Sequence, residues 1–71
     1  MNEGDFLRLV RRVYSDRGGD DGVPYDDLID EAVREFSENE DTIRQAIDYL
    51  LRRGEVYEPA DDRLKPTDAE L

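Results

Sequence analysis

Three stretches of this chain repeat one apolar rhythm, and that rhythm restricts the fold more than any other feature. Phe6, Leu9, Val10, Val13 and Tyr14 fall at i, i+3, i+4, i+7 and i+8, and Ile43, Ala46, Ile47, Leu50 and Leu51 repeat the spacing. Between them Leu28, Ile29, Ala32, Val33 and Phe36 form a similar stripe. A stripe of this period lies along one face of a helix, so three amphipathic helices must bury three faces against one another. The chain has 71 residues with no cysteine and no histidine. Disulfides and zinc sites of the usual ligand types are therefore excluded, and the stripes alone must hold one thin core.

The breaks between stripes set the element ranges. Asn2 is placed to cap a first helix over about 3–16. Arg8, Arg11 and Arg12 take its other faces, with Arg11 and Arg12 the more solvent-directed. Gly18, Gly19 and Gly22 put three glycines in five positions and make a loop. Val23-Pro24-Tyr25 is too short for a central strand, and Pro24 lacks a backbone donor, so a few residues at a sheet edge are expected there. A second helix is expected over about 26–36, with Asp26 and Asp27 in its first turn and Asp30 paired to Arg34. Ser37-Glu38-Asn39-Glu40 matches the S-x-x-E capping box, with Asn39 as a rival cap for a third helix over about 40–53. Arg52 and Arg53 suit the negative end of that helix, and Gly54 suits the position just past it.

Residues 55–58 and 64–67 then read as paired strands, a hairpin over about 55–67 whose loop, 59–63, is longer than a two-residue turn. Pro66 fits there if the last strand is an edge. Residues 68–71 are expected to fray. The order helix, short strand, helix, tight turn, helix, hairpin predicts a mainly α fold with a small β-hairpin, a winged helix-turn-helix in one domain over 1–71. Its expected core is Phe6, Leu9, Val10, Val13, Leu28, Ile29, Ala32, Val33, Phe36, Ile43, Ile47, Leu50, Leu51, Val56 and Leu64.

Twenty acidic residues against ten basic give a net charge of −10. An acidic disordered tail would share the low hydrophobicity but not the regular stripes. The balance instead predicts a halophilic protein, whose self-repulsion is screened by molar salt, with an ordinary acidic mesophilic domain as the alternative. No apolar run approaches the roughly 18 residues of a membrane span, and the N-terminus M-N-E-G-D lacks a signal-peptide pattern. A soluble, cytoplasmic protein without membrane contact is expected.

Residues 50–67, L-L-R-R-G-E-V-Y-E-P-A-D-D-R-L-K-P-T, resemble the C-terminal end of archaeal minichromosome maintenance (MCM) replicative helicases. Those chains commonly close on a helix, a basic-basic-G-E-V-Y-E-P run, a short loop and L-x-x-T. The upstream G-V-P-Y-D-D-L-I-D-E-A is similar to the second helix of that domain. The 18–22 loop and the residues beyond Thr67 depart slightly from the pattern. The resemblance implies an archaeal winged-helix appendage that tunes helicase and ATPase activity in DNA replication. Its partners would be the parent helicase core or other replication proteins, with DNA as a weak partner and the AAA+ motor elsewhere. This chain has no G-x-x-x-x-G-K-[ST] loop and is not the motor.

Catalysis has little support. Ser15, Ser37, Thr42 and Thr67 are the candidate hydroxyl nucleophiles, and no base is arranged beside them. A calcium loop from Asp16 to Asp27 fails at Gly18, at Asp21 and at its closing Asp27. No enzyme activity, cofactor or metal is expected. DNA binding would place the third helix in the major groove with Thr42, Arg44, Gln45, Asp48, Tyr49 and Arg52 outward, and Arg63 and Lys65 of the hairpin on phosphates. Against it, Arg44, Asp48 and Arg52 share one i, i+4 row, an aspartate between two arginines. Residues 18–43 also hold ten acids and one arginine, a net −9. Weak or absent DNA binding is expected, because phosphate contact dominates such affinity.

Protein contact is the competing class. Tyr49 and Tyr57 are its candidate aromatics, one of them expected to be partly buried between the third helix and the hairpin. The candidate contact residues for DNA or a partner are Arg44, Gln45, Tyr49, Arg52, Arg53, Arg63 and Lys65. A free-standing winged-helix transcription regulator is the alternative. Such proteins usually dimerise, and without a spare dimerisation helix after Thr67 a monomer is expected.

Overall fold

The computed structural model describes residues 1–67, so the expected frayed tail lies outside the described residues. Helix α1 spans Glu3–Arg17, strand β1 Val23–Pro24, α2 Tyr25–Phe36, α3 Glu40–Arg53, β2 Val56–Tyr57 and β3 Arg63–Pro66. The helices pack against one another, and an antiparallel three-stranded sheet in the order β1-β3-β2 closes over α1. Among the described residues, no helix is long and apolar enough to cross a membrane.

Local chemistry sets the helix ends. The side-chain oxygen of Asn2 accepts from the Asp5 N–H at 2.8 Å, and that of Asn39 accepts from the Thr42 N–H at 2.8 Å, each satisfying a donor that the first turn cannot pair. The capping-box expectation at Ser37 is therefore corrected. Ser37 ends α2 in the left-handed region (φ 57) with its N–H on the Val33 carbonyl, and Asn39 caps α3. Only three residues separate the helices, so the chain reverses through Ser37 itself. Gly54 ends α3 at φ 77, and its N–H reaches the Leu50 and Leu51 carbonyls. Gly22 is needed for a second reason besides its φ of 85: a Cβ there would stand 2.6 Å from the Leu64 carbonyl oxygen, where the chain enters β1 beside β3.

The core is the meeting point of the three stripes and the sheet. Phe6, Val10, Leu28, Ala32, Ile43 and Leu64 are wholly buried, with Leu9, Val13, Ile29, Ile47, Leu50 and Val56 nearly so. Each large side chain so buried contributes about 1.5–3 kcal/mol from water exclusion. Leu7, Val23 and Pro66 are buried in addition. Leu7 sits beneath the C-terminal end of α3, near Leu50 and Tyr49, and Val23 is clamped by its pairing with Leu64. Val33, Phe36 and Leu51, expected in the core, are half-buried at its margin.

Pro66 corrects the reading of the last strand as an edge, because β3 is the central strand. Its pairings are staggered: Arg63 and Leu64 face β1, while Lys65 and Pro66 face β2. The Thr67 N–H bonds the Glu55 carbonyl at 3.1 Å. By antiparallel alternation the nitrogen of Pro66 points away from β2, beyond the last β1 pair, so no ladder bond is lost.

Two ion pairs cross from α1 to α2. Arg12 donates to both Glu35 oxygens, at 2.6 and 3.4 Å, and Arg17 donates to Glu31 at 2.9 Å. Arg12 is thus tied to α2 rather than solvent-directed, while the side chain of Arg8 is 82% exposed. The Arg12 guanidinium pKa is raised further above its ordinary value by the Glu35 hydrogen bond and charge. Arg34 lies 3.7 Å from Glu31, not beside Asp30 as the spacing suggested, because Glu31 is the acid that faces the seam and meets both cations.

Candidate functional site

Helix α3 buries Ile43, Ile47 and Leu50 and thereby turns Arg44, Gln45, Asp48, Tyr49, Arg52 and Arg53 outward. The seven candidate contact residues fall into three groups around it. Gln45, Tyr49 and Arg52 line a shallow open groove between α3 and the start of α1, with Met1, Asn2, Glu3, Thr42 and Ala46. Arg53 lies on a neighbouring depression that shares Tyr49 and Glu3. Arg44 stands on the other flank of α3, in a dip with Pro24, Tyr25, Asp26 and Asp62. Arg63 and Lys65, on β3, form the third group. The Arg63 guanidinium donates to the Gly22 carbonyl at 3.4 Å, and the Lys65 ammonium stands 5.8 Å from the ring centre of Tyr14 on α1.

The arginines of α3 are engaged within their own helix. Arg44 Nε donates to Glu40 at 2.8 Å, and Arg52 donates to Asp48. The hydrogen bond from Glu40 raises the Arg44 pKa above its ordinary value. Arg53 donates to the Tyr49 hydroxyl at 3.2 Å, with its guanidinium carbon 5.6 Å from that ring's centre. Tyr49 is 38% exposed, whereas Tyr57 on β2 is half-buried. The i, i+4 row places Asp48 between two arginines, but it takes Arg52 alone, and Arg44 turns to Glu40.

Tyr25 is the contributor that the sequence did not mark. Its N–H donates to the Asp62 carbonyl at 3.0 Å, so it ties the start of α2 to the end of the β2–β3 loop. Burial, followed by the nearby Glu58 carboxylate, pushes the Tyr25 phenol well above its ordinary value. Asp62 takes a left-handed conformation (φ 59), which Asp tolerates. The loop, 58–62, carries Glu58, Asp61 and Asp62 and no cation, a net −3. Across α3, Glu40, Asp41 and Asp48 balance Arg44, Arg52 and Arg53, a net 0.

Among the described residues, no group of three or more acidic side chains is placed to hold a metal ion. No protein-family model, curated protein or solved structure matches the chain.

Proposed function

We propose that this chain is a non-catalytic winged-helix module of the kind that closes archaeal MCM helicases, modulating helicase and ATPase activity through protein contacts and touching DNA at most weakly. Three helices followed by a hairpin, with a short strand after α1 completing the sheet, are the layout such a module requires. The G-E-V-Y-E-P run supports the family. The mode of action rests on one observation: each arginine of α3 has a side-chain partner on α3 and the helix carries no net charge, while the loop that would be the wing carries three acids and no cation. DNA affinity comes mainly from cations that displace counterions from phosphates, and this surface has few to offer.

Two measurements test the reading. Duplex DNA titrated against labelled protein at moderate salt should move few signals, with micromolar or weaker affinity. Deleting these residues from a helicase that carries them should change ATPase or unwinding rates without abolishing either. Unchanged rates overturn the modulatory role. Nanomolar, sequence-selective binding that is lost in Arg44→Ala would make the chain a free-standing transcription regulator instead.

A further inference from the structure

The outer face of α3 carries two opposed chemistries. Arg44, Gln45, Arg52 and Arg53 are exposed and are of the types that contact phosphate oxygens and base edges. Arg44 and Arg52 stand eight residues apart, about 12 Å along the axis at ~1.5 Å per residue, and their side chains are 51% and 76% exposed. Each nevertheless has a carboxylate one turn nearer the N-terminus, Glu40 and Asp48. Asp62 of the β2–β3 loop lines the same dip as Arg44.

Glu40 has a structural use, since an acid in the first turn complements the helix dipole. Asp48 has none. It sits mid-helix, where Asp is a poor helix former, with its side chain 60% exposed. Exposed pairs one turn apart are weak, so a phosphate would compete for either guanidinium. The carboxylate charge would remain after that competition and would repel the phosphate.

We infer that Glu40, Asp48 and Asp62 are specificity-determining residues that keep duplex DNA off the outer face of α3. The inference rests on the winged-helix reading above, in which α3 is the helix that would meet DNA.

The test is a triple variant, Glu40→Gln, Asp48→Asn and Asp62→Asn, compared with an equal-charge control, Asp16→Asn, Asp20→Asn and Asp30→Asn, outside α3 and its neighbouring loop. Both move the net charge from −10 to −7. Binding to a short random-sequence duplex is measured by fluorescence anisotropy, with backbone amide spectra confirming the fold. The α3 variant should bind at least about tenfold tighter than wild type near 50 mM salt, and the control clearly less so. Two new phosphate contacts should steepen the dependence of log K on log salt by about 1.8, so the gain shrinks roughly tenfold by about 200 mM. Adding Arg44→Ala and Arg52→Ala should return binding to the wild-type level. Equal gains in the two triple variants overturn the inference, as does a folded α3 variant without gain. If the triple variant does not fold, Asp48→Asn alone must still bind tighter than Asp30→Asn. Wild-type DNA affinity and the helicase deletion bear on the proposed function; the variant against its control bears on this inference alone.

Discussion

Along the α1–α2 seam, Arg12 and Arg17 reach across to Glu35 and Glu31 of the neighbouring helix, whereas on α3 Arg44 and Arg52 fold back onto Glu40 and Asp48 of their own. The partners are chemically alike, but the pairs differ in what they can determine. A seam pair joins residues 23 or 14 positions apart, so it forms only when two helices already lie side by side. A pair one turn apart forms as readily in an isolated helix, and it constrains no packing. On α3 its consequence is electrostatic: the face is left neutral. Neither kind is strong at a solvent-exposed site, so helix placement depends on the buried stripes and the pairs refine it.

The largest expected effect removes that common foundation. Ile47, 3% exposed at the centre of α3, should cost about 2–5 kcal/mol when cut to Ala, most of the stability of so small a domain. Denaturant melts measure this, and an unchanged midpoint would detach α3 from the core described here. Next comes salt. Thermal melts in dilute buffer and in molar KCl should show a higher midpoint at high salt, because screening relieves the repulsion within a body of net −10. An equal or lower midpoint would mean that the seam and helix pairs lose more than the acidic surface gains, and the halophilic assignment fails. The smallest effect sharpens the contrast directly. A double-mutant cycle on Arg12 and Glu35 should return a larger coupling than one on Arg52 and Asp48, since Arg12 makes two hydrogen bonds and half of its side chain is shielded. Equal couplings would erase the distinction.

The helices were legible because each carries its signal in one continuous stretch: a stripe, a cap at Asn2 or Asn39, and for α3 a terminal Gly54. Strand order was not. The position of β3 depends on Val23 meeting Leu64, and no rule of local spacing links two such short segments. Pro66 was misleading for a related reason, since a missing donor is harmless wherever the ladder staggers, not only at an edge. Val23 lies in a two-residue strand, which has no period to read. On α3, the ion pairs obey a rule that was readable in advance: acid before base by four residues is the better order, which selects Glu40 for Arg44 and Asp48 for Arg52. Tyr25 had no such mark, because its value lies in what the β2–β3 loop brings to it.

The central place of β3 bears on how the protein is made. Synthesis runs from the N-terminus, so β1 emerges about forty residues before its partner, and β2 too must wait for β3. All three helical stripes can exist before then, but the cover over α1 cannot, because β3 is the strand both others pair with. A copy interrupted before Arg63 has the residues of every helix but lacks closure, leaving Val23 and the α1 face without the strand that covers them. Closure of the α1 face therefore falls to β3, the last strand among the described residues.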